Sequence, residues 1–272
     1  MAGIDVHQHN LSGTYTLLLA VSLGAEDIVT VILDKGEDVN IVDQSGETSL
    51  TKAISYGLED IAKLLIHYGA NVNQICKRST RFHTENSRAC ITFDISILES
   101  VDGISYKSGD QFEMSILSKV ITNIPLSFAK RRYFASLLLE HGADPNLEKC
   151  DVDSCLMHAV RYGDPVLVKT LLEASAETNH IGNNGYTALH VFFSTFHRSA
   201  ENGSTILKML LENGAETNVS STDGDLPVHK ALSNCKIPDK FYDNLGDITT
   251  IIDLAKDLNV PNKNKSTPFL YS

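Results

Sequence analysis

No stretch of 18 consecutive apolar residues occurs anywhere in the 272-residue chain, so no membrane-spanning helix is predicted. The best early run, Tyr15 to Leu23, is short, is interrupted by Ser22 and has no basic leader, which reads as neither a signal peptide nor a span. Cysteine is sparse. Cys76, Cys90, Cys150, Cys155 and Cys235 form an odd set with no CxxC pair, which excludes a disulfide-stapled scaffold and predicts a reducing compartment, cytosol or nucleus. Glycine and proline together number 17 + 7 = 24, too few for a collagen-like or low-complexity chain. Positive charge is also short: 23 Lys and Arg face 34 Asp and Glu, a net of −11 that opposes phosphate backbones and anionic lipid. Nucleic acid and membrane insertion are therefore not expected. Basic residues gather only at Lys77, Arg78, Arg81 and Arg88, with Phe82 between them, and at Lys130, Arg131 and Arg132. A solvated loop on an acidic surface explains the first group, and the crown of a helix start explains the second.

Signatures of chemistry are missing too. The chain has neither GxGxxG nor GxxxxGK[ST], so a dinucleotide or P-loop phosphate cradle is not predicted. It has no GxSxG elbow and no HExxH pair. Cys76, His83 and Cys90 offer ligand types that zinc accepts, but they lack a fourth ligand nearby and a tight pair of thiolates. Cys150 and Cys155 flank an exposed turn. No cofactor, metal, small-molecule substrate or catalytic residue is expected. What remains is an ordinary globular mixture, 42% hydrophobic and 21% charged, in a chain long enough for a substantial core.

That mixture is periodic. Ala20 and Ala53, Gly24 and Gly57, Gly36 and Gly69, and Asn40 and Asn73 are identical pairs, each 33 residues apart. Gly142-Ala-Asp-Pro-Asn146 and Ser175-Ala-Glu-Thr-Asn179 stand at the same interval, Gly214-Ala-Glu-Thr-Asn218 follows 39 later, and Ala255-Lys-Asp-Leu-Asn259 follows 41 later. Each unit predicts a short helix, a turn, a second helix and a glycine exit. In the second unit Ile61, Leu64 and Leu65 form one apolar stripe, and Gly69 ends the helix where a left-handed residue is needed. Ser175 and Ala255 replace that glycine. They either accept a conformation costing about 1 kcal/mol or more, or the turn differs there.

Gly46-Glu-Thr-Ser-Leu-Thr-Lys-Ala53, Gly57, Ile61 to Ile66 and Gly69-Ala-Asn-Val-Asn73, on a 33-residue period, resemble an ankyrin repeat. Further helix starts of the TPLHxA kind are Tyr15 to Ala20, Ser154 to Ala159, Thr187 to Phe192 and Leu226 to Ala231. His190 occupies the histidine slot, and His158 and His229 lie near or at it. The resemblance implies that this histidine orders the helix start and adjoining turn by hydrogen bonding rather than doing chemistry.

The resemblance implies an all-α fold, an ankyrin-repeat solenoid of about six to seven helix-turn-helix repeats with an irregular or degenerate third unit. Residues 1–12 read as an N-terminal arm and 13–73 as two repeats. Residues 114–259 read as repeats with lengthened inter-helix turns, and 260–272 as a partial terminal repeat. Between them, 74–113 is either a degenerate repeat or a β-hairpin or loop insertion. Ile95 and Leu98 fit second-helix slots before Gly103, while Ile91, Phe93, Ile95 and Ile97 alternate at period two and Asp102-Gly103 suits a hairpin turn.

By the same resemblance, finger tips and first-helix inner faces choose the partner. The equivalent positions are Asp43, Gln44 and Glu47; Glu148, Lys149 and Asp151; His180, Asn183, Asn184 and Tyr186; and Asp223 and Asp225. Their acidic and amide groups complement a basic or hydrogen-bond-rich protein segment. The implied function is a non-enzymatic scaffold, adaptor or inhibitor, monomeric, in the cytosol or nucleus, or in a host cytosol for a viral or bacterial effector. The alternative is the targeting arm of a longer enzyme or ubiquitin-ligase receptor whose functional domain lies beyond Ser272, motivated by the unfinished repeat at Thr267-Pro-Phe.

Overall fold

The computed structural model describes residues 15–43, 46–77, 113–122, 126–148, 152–195, 200–234, 245–254 and 258–268. Contacts divide the chain into two compact units, Met1–Ala143 and Asp144–Ser272.

In the first unit the helices are α1 (Thr16–Ser22), α2 (Glu26–Asp34), α3 (Ser49–Ser55), α4 (Glu59–His67), α5 (Ile116–Thr122) and α6 (Phe128–Glu140). They pack as successive pairs, α1 on α2, α3 on α4 and α5 on α6. Each first helix packs on the next, α1 on α3 and α3 on α5. Local chemistry explains the boundaries. Thr48 and Thr51 close a reciprocal capping box at the start of α3. Paired acids open α2 (Glu26, Asp27) and α4 (Glu59, Asp60), where the helix dipole favours negative charge. Leu17, Leu18, Leu50, Ile54, Leu65, Ile116, Leu117, Ile121, Phe134 and Leu138 are all essentially fully buried and form the interior.

Two short strands, β1 (Ile75–Lys77) and β2 (Glu113–Ser115), pair antiparallel with Cys76 opposite Met114. These residues stand where Asp43 and Glu47 stand in the preceding hairpin, in which the Asp43 N–H donates to the Glu47 carbonyl at 3.0 Å. Three residues separate Asp43 from Glu47, whereas 77–113, 37 residues, separate Cys76 from Met114. Since α5 packs directly on α3, the helix pair that follows α3 and α4 in the stack is α5 and α6. The Ile91 to Ile97 alternation, Gly103, His83 and Cys90 lie outside the described residues.

The second unit contains α7 (Cys155–Tyr162), α8 (Pro165–Glu173), α9 (Ala188–Thr195), α10 (Ala200–Glu212), α11 (Pro227–Asn234) and α12 (Leu245–Leu254). It repeats the arrangement: α7 on α8, α9 on α10 and α11 on α12, with α7, α9 and α11 in succession and α8, α10 and α12 in succession. Ser175 adopts φ 65°, the left-handed conformation of the exit glycine it replaces, so this junction keeps the glycine geometry at the cost of strain. Ala255 is outside the described residues. Val120 to Gly142 and Phe192 to Gly214 span 22 positions each against 16 from Ala53 to Gly69, and the extra residues are partly helical: α6 and α10 each have 13 residues against nine in α2, α4 and α8.

At four helix exits an asparagine joins one pair to the next. Asn40 donates from Nδ2 to the Gly69 carbonyl (3.3 Å) and accepts the Asn71 N–H (2.7 Å). Asn146 does the same with Ser175 (3.0 Å) and Glu177 (2.8 Å), and Asn179 with Gly214 (2.9 Å) and Glu216 (2.8 Å). Asn73 reaches the Gly142 carbonyl at 3.0 Å. One amide side chain thus satisfies a donor and an acceptor at the next helix terminus, where intrahelical partners run out.

Candidate protein-binding surface

Before α3, α9 and α11, and again at 262–266, the chain closes a tight hairpin, here called a finger. In the second unit three fingers share one geometry. The Gly182 N–H donates to the Tyr186 carbonyl (2.9 Å), the Ser221 N–H to that of Asp225 (2.8 Å) and the Asn262 N–H to that of Ser266 (2.9 Å). The residue before the closing carbonyl has positive φ each time: Gly185 at 70°, Gly224 at 79° and Lys265 at 62°. Adjacent tips are bonded to each other. The Thr222 N–H (2.9 Å) and hydroxyl (3.0 Å) donate to the Asn184 carbonyl, and the Lys263 N–H donates to that of Asp223 (2.9 Å). The tips approach so closely that a Cβ on Gly185 would stand 2.7 Å from the Thr222 nitrogen.

Histidines bolt the fingers to the helices. The Thr187 N–H donates to His190 Nδ1 (3.1 Å), which leaves the ring proton on Nε2 to be donated to the Asp225 carbonyl of the next finger (2.9 Å). His229 repeats this, accepting from the Leu226 N–H at Nδ1 (3.0 Å), with Nε2 3.3 Å from the Ser266 carbonyl. Burial pushes the His190 imidazole down to about 4, so it is neutral at physiological pH and acts as a fixed donor and acceptor. His158 is one residue past the slot, which Met157 takes. His158 Nδ1 lies instead 3.3 Å from an Arg161 guanidinium nitrogen.

Several acidic candidates hold the fingers together. Asp43 pairs with Lys52 (3.0 Å), and Glu47 pairs with Lys119 of the next helix pair (2.6 Å). Asp225 is 6% exposed, pairs with Lys230 (3.0 Å) and accepts from Asn262 Nδ2 (2.7 Å). Burial opposes ionisation of Asp225, but the Asn262 hydrogen bond and the Lys230 ammonium outweigh it and hold the carboxyl below the usual carboxylate range. Tyr186 is half-buried, with its ring stacked on His190 (centroids 5.3 Å apart) and the Lys230 ammonium 5.1 Å from its centroid. Burial opposes the charge on Lys230, but Tyr186 and Asp225 outweigh it and raise its pKa.

His180 donates from Nε2 to the Val152 carbonyl (2.8 Å), and the Asn183 N–H donates to Asp153 Oδ1 (3.0 Å). Glu148 is half-buried, with Oε2 3.7 Å from Cys155 Sγ. Asn184, at φ 58°, and Asp223 are exposed at the tips. Gln44, Lys149 and Asp151 lie outside the described residues.

Reading by residue type missed Asp153 and Arg161. The Asp153 carboxylate is 2% exposed and takes the Arg161 guanidinium at 2.6 Å while holding the Asn183 N–H. Burial works against its ionisation, yet the neighbouring Arg161 and His158 hold it below the usual carboxylate range. Also missed was the lysine slot after the histidine position, which recurs as Lys52, Lys119 and Lys230 and was readable from the periodicity. Cys76 is buried, which pushes its thiol up to about 11 and keeps it protonated. Among the described residues no group of His, Cys, Asp and Glu could hold a metal ion, and no helix is long and apolar enough to cross a membrane.

Paired helices stacked by period, with fingers bonded edge to edge, define a helical repeat protein. The chain belongs to the ankyrin repeat family: the model of three consecutive ankyrin repeats matches residues 1–76 and 126–192. It is similar in fold to the human ASB11 ankyrin repeat domain (TM-score 0.58, 21% identity, 94% of this chain and 91% of that one). It is also similar to an ankyrin repeat domain from Acinetobacter baumannii AYE (TM-score 0.59, 21% identity, 86% and 96%). No curated protein matches it in sequence. Ankyrin repeats are a general protein–protein interaction domain, ordinarily non-catalytic, and no enzyme family is indicated.

Proposed function

We propose that this chain is a non-enzymatic scaffold, adaptor or inhibitor that grips a partner protein through its finger tips and the adjoining inner faces of its first helices, as a monomer in the cytosol or nucleus. The observation that carries this reading is the bonded row of fingers. Its hydrogen bonds fix the backbone while the side chains of Asn184, Thr222, Asp223, Lys263 and Asn264 stay exposed. A pre-organised edge loses little freedom on binding, which favours affinity. Asp43, Glu47 and Asp225 then serve the site by holding the fingers in place, and contact falls to the outward groups.

The test is affinity capture from cytosolic extract with the intact chain beside an Asn184→Ala, Asp223→Ala, Lys263→Ala variant, with captured proteins identified by mass spectrometry. A protein held by the first and released by the second supports the reading. A protein held equally by both moves the binding edge elsewhere.

A further inference from the structure

The first helix pair presents four large apolar side chains to solvent. Leu19 and Leu23 lie four residues apart at α1, and Ile28 and Val31 three apart on α2, with exposures of 47, 71, 53 and 55%. That spacing puts each couple on one side of its helix. The next pair shows which side this is on α2. Ile61, 33 residues after Ile28, is only 3% exposed, because α4 packs on α2 there. Lys63, two residues on, points the other way, 5.6 Å from the Tyr133 ring of the following pair. Ile28 therefore occupies a slot that, one repeat later, a helix covers, and the counterpart of Val31, Leu64, is half-buried there.

The first turn of α2 is acidic, and the nearest Lys or Arg in the sequence is Lys35 at its far end. Residues 1–34 contain no lysine or arginine, and α2 carries Glu26, Asp27 and Asp34. Glu26 and Asp27 are exposed beside Ile28, whereas Asp34 accepts a hydrogen bond from the Tyr68 hydroxyl. A contiguous apolar surface rimmed by charge marks a site of association.

We propose that the outer face of α1 and α2 docks a helix of a partner protein, with apolar residues at i, i+3, i+4 and i+7 and flanking lysine or arginine. The helical shape follows from what covers the Ile28 slot one repeat later. The basic flanks follow from Glu26 and Asp27 in a stretch without a cation. A second copy would set these acids against each other in a chain of net charge −11, and an anionic lipid surface would meet the same repulsion. This face is built from α1 and α2 rather than from finger residues, so the chain has two places to bind and suits bringing two proteins together.

The test is a titration of the full 15N-labelled chain with three synthetic peptides of about 18 residues, long enough for a stable amphipathic helix. The first has leucine at helical spacing with lysine elsewhere, the second has the same composition scrambled, and the third has glutamate for lysine. The expected result is saturable shifts of the amides of residues 19–31 by the first peptide alone, weakened about tenfold or more by Ile28→Asp with Val31→Asp. Both positions are exposed, and unchanged circular dichroism melting checks that the variant folds. The proposal is overturned by no binding, by shifts centred elsewhere, or by equal binding of the scrambled or glutamate peptide. It is also overturned if sedimentation finds a dimer that the double variant dissolves, since a second copy then occupies the face.

Discussion

Replacing His190 with glutamine changes how stability depends on pH, and the size of the change follows from burial. In the folded chain His190 is fully enclosed and titrates near 4, against 6.5 for the free side chain. The unfolded chain therefore takes up a proton as the pH falls through 6.5, while the folded chain resists until about 4, and acid favours unfolding. The stability from keeping this imidazole neutral is complete above pH 6.5 and is lost progressively down to about pH 4. The gap corresponds to about 3 kcal/mol. Urea unfolding of the wild type and of His190→Gln at pH 7, 6, 5 and 4 measures it, because the carboxylates titrate in both proteins and cancel in the difference. At pH 7 the variant is less stable by about 1–3 kcal/mol, having lost at least one of the buried hydrogen bonds of His190. By pH 4 the wild type has given up about 3 kcal/mol relative to the variant. A stability difference independent of pH refutes the reasoning.

Other substitutions test the joints of the stack. Asp153→Ala takes the carboxylate from the half-buried Arg161 guanidinium and the acceptor from the Asn183 N–H, and lowers stability by about 3 kcal/mol or more. Adding Arg161→Met recovers part of that loss in a double-mutant cycle by urea unfolding. Gly185→Ala combines φ 70° with a Cβ 2.7 Å from the Thr222 backbone, whereas Gly69→Ala meets open space and only the left-handed penalty of about 1 kcal/mol. Thermal melting should rank the first as clearly the more damaging. Asn146→Ala removes both bonds to the next helix exit and costs about 1–3 kcal/mol, with faster amide exchange at Glu177 as its local signature.

The 33-residue recurrence of Gly24, Gly36 and Asn40 was enough to place the helix pairs and their exits, because those residues answer to backbone geometry within one repeat. Contacts between repeats were harder to read. Glu47 finds its cation 72 residues away in Lys119, and Asp225 finds Asn262 37 residues away, so charged turn residues that look outward in sequence are drawn inward by the next repeat. Asp153 was hidden for the same reason, since its partners sit on α7 and on the following finger. β1 and β2 were invisible as strands: three residues each, with 35 residues between them, carry no alternation to detect. The helical lengthening of α6 and α10 was also unmarked, because no glycine sets where those helices begin.

The most direct test of the account is hydrogen–deuterium exchange of the chain alone and with the protein recovered by affinity capture. The account predicts added protection at residues 181–186, 220–225 and 262–265, the three bonded fingers, with the cores of α7 to α11 unchanged. Protection confined to the second helices, with all three fingers unaffected, would contradict it.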